Sequence, residues 1–203
     1  MRTYASSHLF TMKKVNVLLI GLLALTGCSF GGSTSTSTDN PEAATLQTFQ
    51  ADDYQMTIPK VWQITRKNEF TSDVPSNVSV VLQANRKNEV FVTNVNVVKN
   101  ILGDNMSSLD YGKVVVENQK TVLQNFAEKN REEVDTTIAG KKEKILLAKF
   151  DGKRTATDPL LTFMQSYYIK DRTGYIITAA FISNEDPSVQ KEAEQILRSF
   201  SIK

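Results

Sequence analysis

The sequence predicts an α+β sandwich in which two amphipathic helices pack on an antiparallel sheet. Most apolar residues alternate with polar ones or form short runs, whereas two segments repeat apolar residues at helical spacing. Along the chain the order is strands, helix, strands, helix, which is typical of this class. We expect the ordered domain to span residues 45–203, a length that buries about 70% of the unfolded chain's surface without a disulfide or metal.

The strand predictions rest on alternation and on turn residues. Tyr54, Met56 and Ile58 alternate with polar residues before Pro59. Asp171-Arg172-Thr173-Gly174 separates the last two apolar runs and predicts a hairpin, and Gly140 marks a turn between two short strands. Strands are therefore predicted at 54–58, 62–64, 78–82, 91–97, 144–150, 160–169 and 175–181.

Two helices are indicated by caps and by apolar stripes. The first follows Ser107, with Asp110 three residues on, as in a capping box. The second begins with Asp186 as cap and Pro187 in the first turn. We expect each helix to lie with its stripe on the sheet. The stripes are Tyr111, Val115, Val122 and Phe126 in the first helix, and Val189, Ala193, Ile196, Leu197 and Phe200 in the second.

The first 27 residues have the features of a lipoprotein signal peptide. Lys13 and Lys14 precede an apolar run of about a dozen residues, shorter than the ~20 residues that a spanning helix needs. The run ends in Leu25-Thr26-Gly27-Cys28, which resembles the bacterial lipoprotein motif in which the cysteine thiol receives diacylglycerol. We therefore expect cleavage before Cys28 and lipidation of its thiol, with either Met1 or Met12 as the start. An uncleaved anchor is the alternative.

Residues 28–44 are predicted to be a flexible tether. Gly31 and Gly32 precede an alternation of serine and threonine that runs to Thr38, and such a segment cannot bury enough apolar surface to offset its chain entropy. A coil of this length has a typical reach of about 25 Å. The domain could thus stand clear of the lipid headgroups.

The charge balance argues against nucleic acid as a partner. The formal charge of the 203-residue chain is +2, but three basic residues and no acidic one precede Cys28. Removing Arg2, Lys13 and Lys14 from the 24 basic residues leaves 21 against 22 acidic ones. Basic and acidic residues are also mixed along the chain, which is typical of a solvated face and not of a phosphate-binding surface.

Several kinds of catalytic and cofactor site are excluded by residue type. The one histidine, His8, precedes Cys28, and Cys28 is the one cysteine. A mature chain without them has no Ser-His-Asp or Cys-His arrangement, no His- or Cys-ligated zinc and no thiol redox site. No phosphate-cradling glycine loop or dinucleotide fingerprint is present either. We therefore expect no cofactor, no metal and no enzyme activity of these kinds.

Carboxylate chemistry remains open. Asp52-Asp53 and Glu132-Glu133 are adjacent pairs, but neighbours on a strand point to opposite faces. We interpret them as solvated residues, with a weak calcium site as the alternative, since calcium needs about six to eight oxygen ligands. A glycosidase needs two carboxylates about 5 to 10 Å apart across a cleft, and the sequence neither indicates nor excludes such a pair.

The polar side chains that best suggest a binding site come from two strands. Asn94 and Asn96 share one strand face, and Gln165 and Tyr167 could face them from another strand. These side chains are candidate ligand-binding residues on a shallow surface. The alternative is a set of buried, hydrogen-bonded amides that fix strand register.

The order of these features resembles the PsbP family, in particular its bacterial PsbP-like lipoproteins. The resemblance implies an α-β-α sandwich around an antiparallel sheet and a non-catalytic role. In photosynthetic members that role is attachment to the lumenal side of photosystem II, in support of calcium and chloride retention at the manganese cluster. The resembling segments are Tyr54–Pro59 with Trp62, Asn94–Val98, Leu109–Tyr111, Gly140, Gln165–Tyr168, Gly174–Ala180 and Ile196–Phe200.

The chain departs from the photosynthetic members in its predicted lipid anchor and in its lack of a mature histidine. No metal-site residue is therefore transferred, and no photosynthetic function is inferred. We expect an extracytoplasmic, non-catalytic accessory lipoprotein that binds a partner protein and is anchored to the cell membrane or outer membrane through Cys28. The alternative is a small-ligand binder or carboxylate-based hydrolase that uses the Asn94, Asn96, Gln165 and Tyr167 face.

Overall fold

A computed structural model describes residues 46–85 and 90–203. The predicted leader, Cys28 and the predicted tether lie outside these residues. In chain order the elements are β1 Leu46–Gln50, β2 Tyr54–Pro59, β3 Gln63–Arg66, a 3-10 turn Lys67–Glu69, β4 Val78–Gln83, β5 Asn94–Ile101, α1 Ser108–Val122, β6 Gln124–Ile138, β7 Lys141–Lys153, β8 Leu161–Lys170, β9 Thr173–Ile182, α2 Pro187–Arg198 and β10 Ser201–Ile202.

The strands form two antiparallel sheets. The larger has seven strands in the order β3-β4-β5-β9-β8-β7-β6, and the smaller has three in the order β1-β2-β10. Helix α1 packs on β7 and β8 on one face of the large sheet, whereas α2 and the small sheet cover the other face. This arrangement is the predicted α+β class with an antiparallel sheet flanked by helices.

Helix α1 begins where the capping residues predict. The Ser107 hydroxyl accepts the Asp110 amide at 3.0 Å, and Tyr111 and Val115 are buried against the sheet. The helix ends at Val122, however, so the predicted extension of its stripe was wrong: Val122 is exposed and Phe126 belongs to β6. Leu123 leaves the helix with extended backbone and packs against Gly152 of β7, which turns the chain into the next strand.

Helix α2 agrees with its predicted cap and stripe. The Asp186 carboxylate accepts the Ser188 amide at 2.8 Å, and Pro187 occupies the first turn. Its apolar stripe is buried, and Phe200 follows the helix as a core residue in contact with Tyr54 and Tyr168.

Two hairpins have two-residue turns with both central residues at positive φ. The predicted β8–β9 hairpin turns at Asp171 and Arg172, with φ values of 49° and 62°. The Arg172 guanidinium donates to the carbonyls of Leu102 and Gly103, which holds this turn against the end of β5. The second turn, Ala139-Gly140, joins β6 and β7, which at 15 and 13 residues are much longer than the short strands predicted there.

An ion pair joins the small sheet to the large one. Lys99 of β5 donates to both carboxylate oxygens of Asp53 at 2.7 and 2.8 Å, and the Tyr175 hydroxyl donates to the same carboxylate at 2.6 Å. Partial burial opposes ionisation of Asp53, but Lys99 and Tyr175 outweigh it and hold the pKa of Asp53 below its usual value. Burial and Asp53 raise the pKa of Tyr175, so the phenol remains a donor at neutral pH.

No helix within the described ranges 46–85 and 90–203 is both long enough and apolar enough to cross a membrane.

Gly112 is predicted to be required for the approach of α1 to the sheet. A Cβ at this position would lie 2.7 Å from Leu146 Cβ and 2.8 Å from Tyr167 Cδ2. In an open helix Gly→Ala stabilises by about 1 kcal/mol, but overpacking costs about 1–3 kcal/mol. We therefore expect Gly112→Ala to lower the free energy of unfolding, as measured by urea denaturation. Gly103→Ala, with no atom within 4 Å of its Cβ, is the control, and equal stability of the two variants would contradict the packing argument.

Asp53 is predicted to make folding pH-dependent in the acid range. Its folded-state pKa is depressed, so its stabilising effect is present above the unfolded pKa near 4 and is lost as pH falls through the folded value. We expect the stability difference between the wild-type protein and Asp53→Asn to shrink between about pH 5 and pH 3. Asp52→Asn changes the exposed neighbour and is the control in urea titrations at both pH values. A pH-independent difference for Asp53→Asn would rule out the ion pair as its cause.

Candidate functional site

The four predicted polar residues lie on one face of the large sheet, as the alternation of residues suggested. Register pairs Asn96 with Thr178 and Thr178 with Gln165, so these three side chains form a row across β5, β9 and β8. Asn94 lies two residues before Asn96 and Tyr167 two residues after Gln165, on the same face but on opposite sides of the row. The sequence did not single out Thr178, which completes the row.

Hydrogen bonds connect most of this row. The Tyr167 hydroxyl donates to Gln165 Oε1 at 2.7 Å, and Gln165 Nε2 donates to Thr178 Oγ1 at 2.9 Å. On β5, Asn96 Nδ2 donates to Asn94 Oδ1 at 3.4 Å, and Asn94 Nδ2 donates to the Val92 carbonyl at 3.1 Å. Asn96 Oδ1 is buried and has no hydrogen-bond partner among the described residues.

The row is buried and does not line an open surface. Asn94, the most exposed of the four predicted residues, is 8% exposed, and Tyr167 is fully buried beneath α1, where it meets Tyr111 edge to face at 6.5 Å. Burial raises the pKa of Tyr167 well above its usual range and that of Tyr111 to about 12. The two phenols are therefore neutral. The Gln165–Thr178 hydrogen bond joins β8 to β9, whereas the Tyr167–Gln165 and Asn96–Asn94 bonds each lie within one strand. A ligand-binding role for the four predicted residues stays a prediction.

The adjacent carboxylates do not converge. Glu132 lies 3.8 Å from Arg198 of α2, whereas Glu133 lies 3.4 Å from Lys113 of α1, so the two side chains point to opposite faces of β6. Asp53 is held by Lys99 and Tyr175, and Asp52 is exposed. In residues 46–85 and 90–203 no group of three histidine, cysteine, aspartate or glutamate side chains is placed to share a metal ion.

Three of the cavities bounded by residues 46–85 and 90–203 lie elsewhere on the domain, and none of these three is lined by the four predicted residues. One of about 420 Å³ lies between the start of α1 and β7, beside Met106 and Glu143. One of about 500 Å³ lies between β7 and the start of α2, beside Lys149 and Gln190. The third, of about 160 Å³, lies under the end of α2 beside Ser166 and Phe200. The first two are open clefts.

Two serines that the sequence did not indicate occupy special positions. The Ser108 hydroxyl, at the first residue of α1, donates to Glu143 at 2.9 Å and accepts the Ile169 amide at 3.0 Å. The Ser166 hydroxyl is buried with no hydrogen-bond partner among the described residues. Ser166 lies within the Gln165–Tyr168 segment of the family resemblance, but the sequence predicts the environment of neither serine, because both environments depend on where β7 and β8 separate.

Comparisons with known proteins identify the fold. No family model matches the sequence, and no curated protein matches it. Among solved structures, cyanobacterial PsbP (CyanoP) from Synechocystis sp. PCC 6803 is similar, with a TM-score of 0.54 at 14% identity over 83% of this chain and 98% of that one.

Two other solved structures have comparable similarity. The Ran-binding protein Mog1p from Saccharomyces cerevisiae has a TM-score of 0.53 at 9% identity, over 78% of this chain and 95% of its own. LpqN, involved in cell envelope biogenesis of Mycobacterium tuberculosis, has a TM-score of 0.51 at 12% identity, over 78% of this chain and 91% of its own. Residues 46–85 and 90–203 thus form a PsbP-like α+β sandwich.

Proposed function

We propose that this chain is an extracytoplasmic lipoprotein, anchored to a membrane through lipid on Cys28, with a non-catalytic role in binding a partner protein. The sequence supports the anchor, since a basic segment, a short apolar run and a cysteine follow one another at the spacing of a lipoprotein signal. Two or three acyl chains hold a protein firmly, because each buried methylene contributes roughly 0.8 kcal/mol.

The surface of the domain supports a position near a bilayer. The described chain begins at Leu46, about 18 residues after Cys28. A flexible coil of that length has a typical reach of about 25 Å. Register places Leu46 opposite Pro59, at the end of the large sheet where β5 and β8 begin and β9 ends. Of the six exposed large apolar side chains in the described ranges, five belong to this end, and the sixth, Ile101, lies at the opposite end. The five are Leu46, Val61, Val90, Val122 and Leu160.

The observation that carries the binding role is the free edge of β6. This strand has 15 residues and pairs only with β7, so its other side leaves backbone N–H and C=O groups without a strand partner in the described domain. A long exposed edge is a template for an extended segment of another protein, which binds by adding a strand. We infer that the partner contributes such a segment.

The charges on β6 indicate what kind of segment it accepts. Arg131 pairs with Glu128 at 2.7 Å, Lys129 with Asp151 at 2.9 Å, and Lys144 of β7 with Asp135 at 3.2 Å. Because these charges are already paired within the domain, the edge favours a polar segment of low net charge over a strongly basic or acidic one. The same charges discourage non-specific association of two edges.

The structural neighbours are compatible with this proposal. Mog1p is a Ran-binding protein, and LpqN is involved in cell envelope biogenesis. Their identity to this chain is low, so the transfer of partner binding at an envelope to it is part of the proposal. The competing interpretation, a ligand site on the Asn94 and Gln165 face, is less well supported because those side chains are buried.

Substitution of Cys28 is predicted to abolish membrane anchoring. We expect Cys28→Ala to release the protein from the membrane fraction or to accumulate as uncleaved precursor, because no thiol remains for diacylglycerol. Metabolic labelling with a fatty acid, followed by fractionation, measures both outcomes. Ser29→Ala leaves the thiol intact and is the control. Continued fatty-acid labelling of Cys28→Ala would contradict lipidation at Cys28.

Photo-crosslinking is predicted to locate the partner at β6. A photoreactive amino acid at exposed Asn130 or Glu132 should give a discrete adduct in intact cells, since either side chain would lie beside an added strand. The same probe at exposed Lys191 of α2 should give none. Mass spectrometry of the adduct then identifies an extended segment of the partner. Adducts of equal yield from both surfaces, or none from β6, would exclude this edge as the binding surface.

A further inference from the structure

One end of the domain exposes apolar side chains on several neighbouring elements. They are Leu46, Val61, Val90, Val122 and Leu160, and we call the surface that carries them the tether end. Val61 and Val90 are 57% and 65% exposed, and Phe91 and Val92, which follow Val90, are not fully buried either. An apolar surface of this kind marks a site of contact with a membrane or with another protein.

The exposed side chains are spread along the rim of the large sheet. Val61, Val90 and Leu160 come shortly before β3, β5 and β8, and register shows that these three strands all begin at this end. In the order β3-β4-β5-β9-β8 they are two positions apart, and neighbouring strands lie about 4.8 Å apart. The three side chains thus span about 20 Å, which suits a flat lipid surface better than a single peptide.

The predicted tether favours contact at this end over contact at the opposite one. Leu46, the first described residue, is itself part of the tether end, and the coil between it and Cys28 has a typical reach of about 25 Å. Strands β8 and β9 have 10 residues each, so the two ends of the sheet lie about 30 Å apart. A domain anchored through Cys28 therefore meets the bilayer most often with its tether end.

Two lysines at the tether end have no carboxylate partner in the described ranges. Lys60 is exposed beside Val61, and half-buried Lys153 ends β7. An anionic lipid headgroup is a partner that both ammonium groups can accept. Three carboxylates at this end are already engaged within the domain, namely Asp158 by Arg154, Glu185 by Thr93, and Asp186 by the first turn of α2.

We propose that the tether end docks on the membrane, with Val61, Val90 and Leu160 in the headgroup region and with Lys60 and Lys153 beside anionic headgroups. The inference rests on the proposed anchor at Cys28 and adds a second, reversible contact to it. Strand β6 begins at the same end, so docking directs this strand and its free edge away from the bilayer.

The test measures how close each end of the domain lies to lipid. The mature, lipidated chain is purified from membranes and placed in nanodiscs. Since Cys28 then carries a thioether, a cysteine introduced by Val61→Cys or Ile101→Cys is the one free thiol and accepts a nitrobenzoxadiazole fluorophore. Ile101 is the matched control, because it is an exposed β-branched residue at the opposite end. We expect a lipid nitroxide near the headgroup to quench position 61 at least about twofold more than position 101.

Two exposed apolar residues test whether the surface itself makes the contact. With the fluorophore at position 61, Val90→Glu combined with Leu160→Glu should lower the quenching to the value at position 101, since a carboxylate in the headgroup region is unfavourable. Ile101→Glu adds the same charge at the opposite end and should leave the quenching unchanged. All three side chains are exposed, so the melting temperature should stay within a few degrees of the wild-type value.

The role of the lysines is tested through lipid charge. Nanodiscs that contain phosphatidylglycerol should quench position 61 more than nanodiscs of phosphatidylcholine alone, and the increase should shrink at high salt. Lys60→Gln combined with Lys153→Gln should remove this increase. Lys141→Gln combined with Lys142→Gln, beside the β6–β7 turn at the opposite end, is the matched control and should retain it.

The possible failures are distinguishable. Equal quenching at positions 61 and 101, in protein that stays with the nanodiscs, would overturn docking and leave the anchor intact. Unchanged quenching in Val90→Glu combined with Leu160→Glu would also overturn it, because the tether alone would then set the distance. An increase with phosphatidylglycerol that persists without Lys60 and Lys153 would overturn their contact with headgroups. Protein that separates from the nanodiscs would overturn the anchor, and this inference with it.

Discussion

Strands β8 and β9 pair over ten residues at the centre of the large sheet, and nearly every side chain on both strands is buried. A sheet covered on both faces places apolar groups on both, and an unpaired polar side chain there is destabilising. Tyr167, Gln165 and Thr178 are paired by hydrogen bonds to one another. Two glycines allow the close contact between α1 and this face. Helix α1 approaches the sheet at its own Gly112, and Tyr111 packs over Gly174 of β9.

The parts of the fold that could be predicted are those with a local physical cause. Ser107 and Asp186 cap helices through hydrogen bonds to residues two or three positions away, so short motifs were sufficient to find them. The β8–β9 hairpin was found from two apolar runs separated by turn residues. Strand β6 was missed because it is an edge strand exposed on both faces, and its sequence therefore lacks the alternation that reveals a half-buried strand. Phe126 then continued a helical spacing by chance, and α1 was extended into β6.

The polar row shows a different limit of sequence reasoning. Alternation placed Asn94 and Asn96 on one face and suggested Gln165 and Tyr167 as residues that face them. The register puts all four on that face, with β9 between the two pairs. Whether such a face is open to solvent depends on what packs over it, and α1 comes from a separate part of the chain. The sequence assigned no role to Ser108 or Ser166, because the environment of each arises only where two strands separate.

The separation of β7 from β8 also explains the shape of the exposed edge. Beyond Leu147, β7 has β6 as its one strand partner, so residues 133–146 form a two-stranded ribbon that diverges from β8. A two-stranded ribbon is marginally stable alone, but Glu133 contacts Lys113 of α1 on one face and Glu132 contacts Arg198 of α2 on the other. These exposed ion pairs contribute little individually. The ribbon is therefore held mainly by apolar contacts of Val134 and Ile145 with the core.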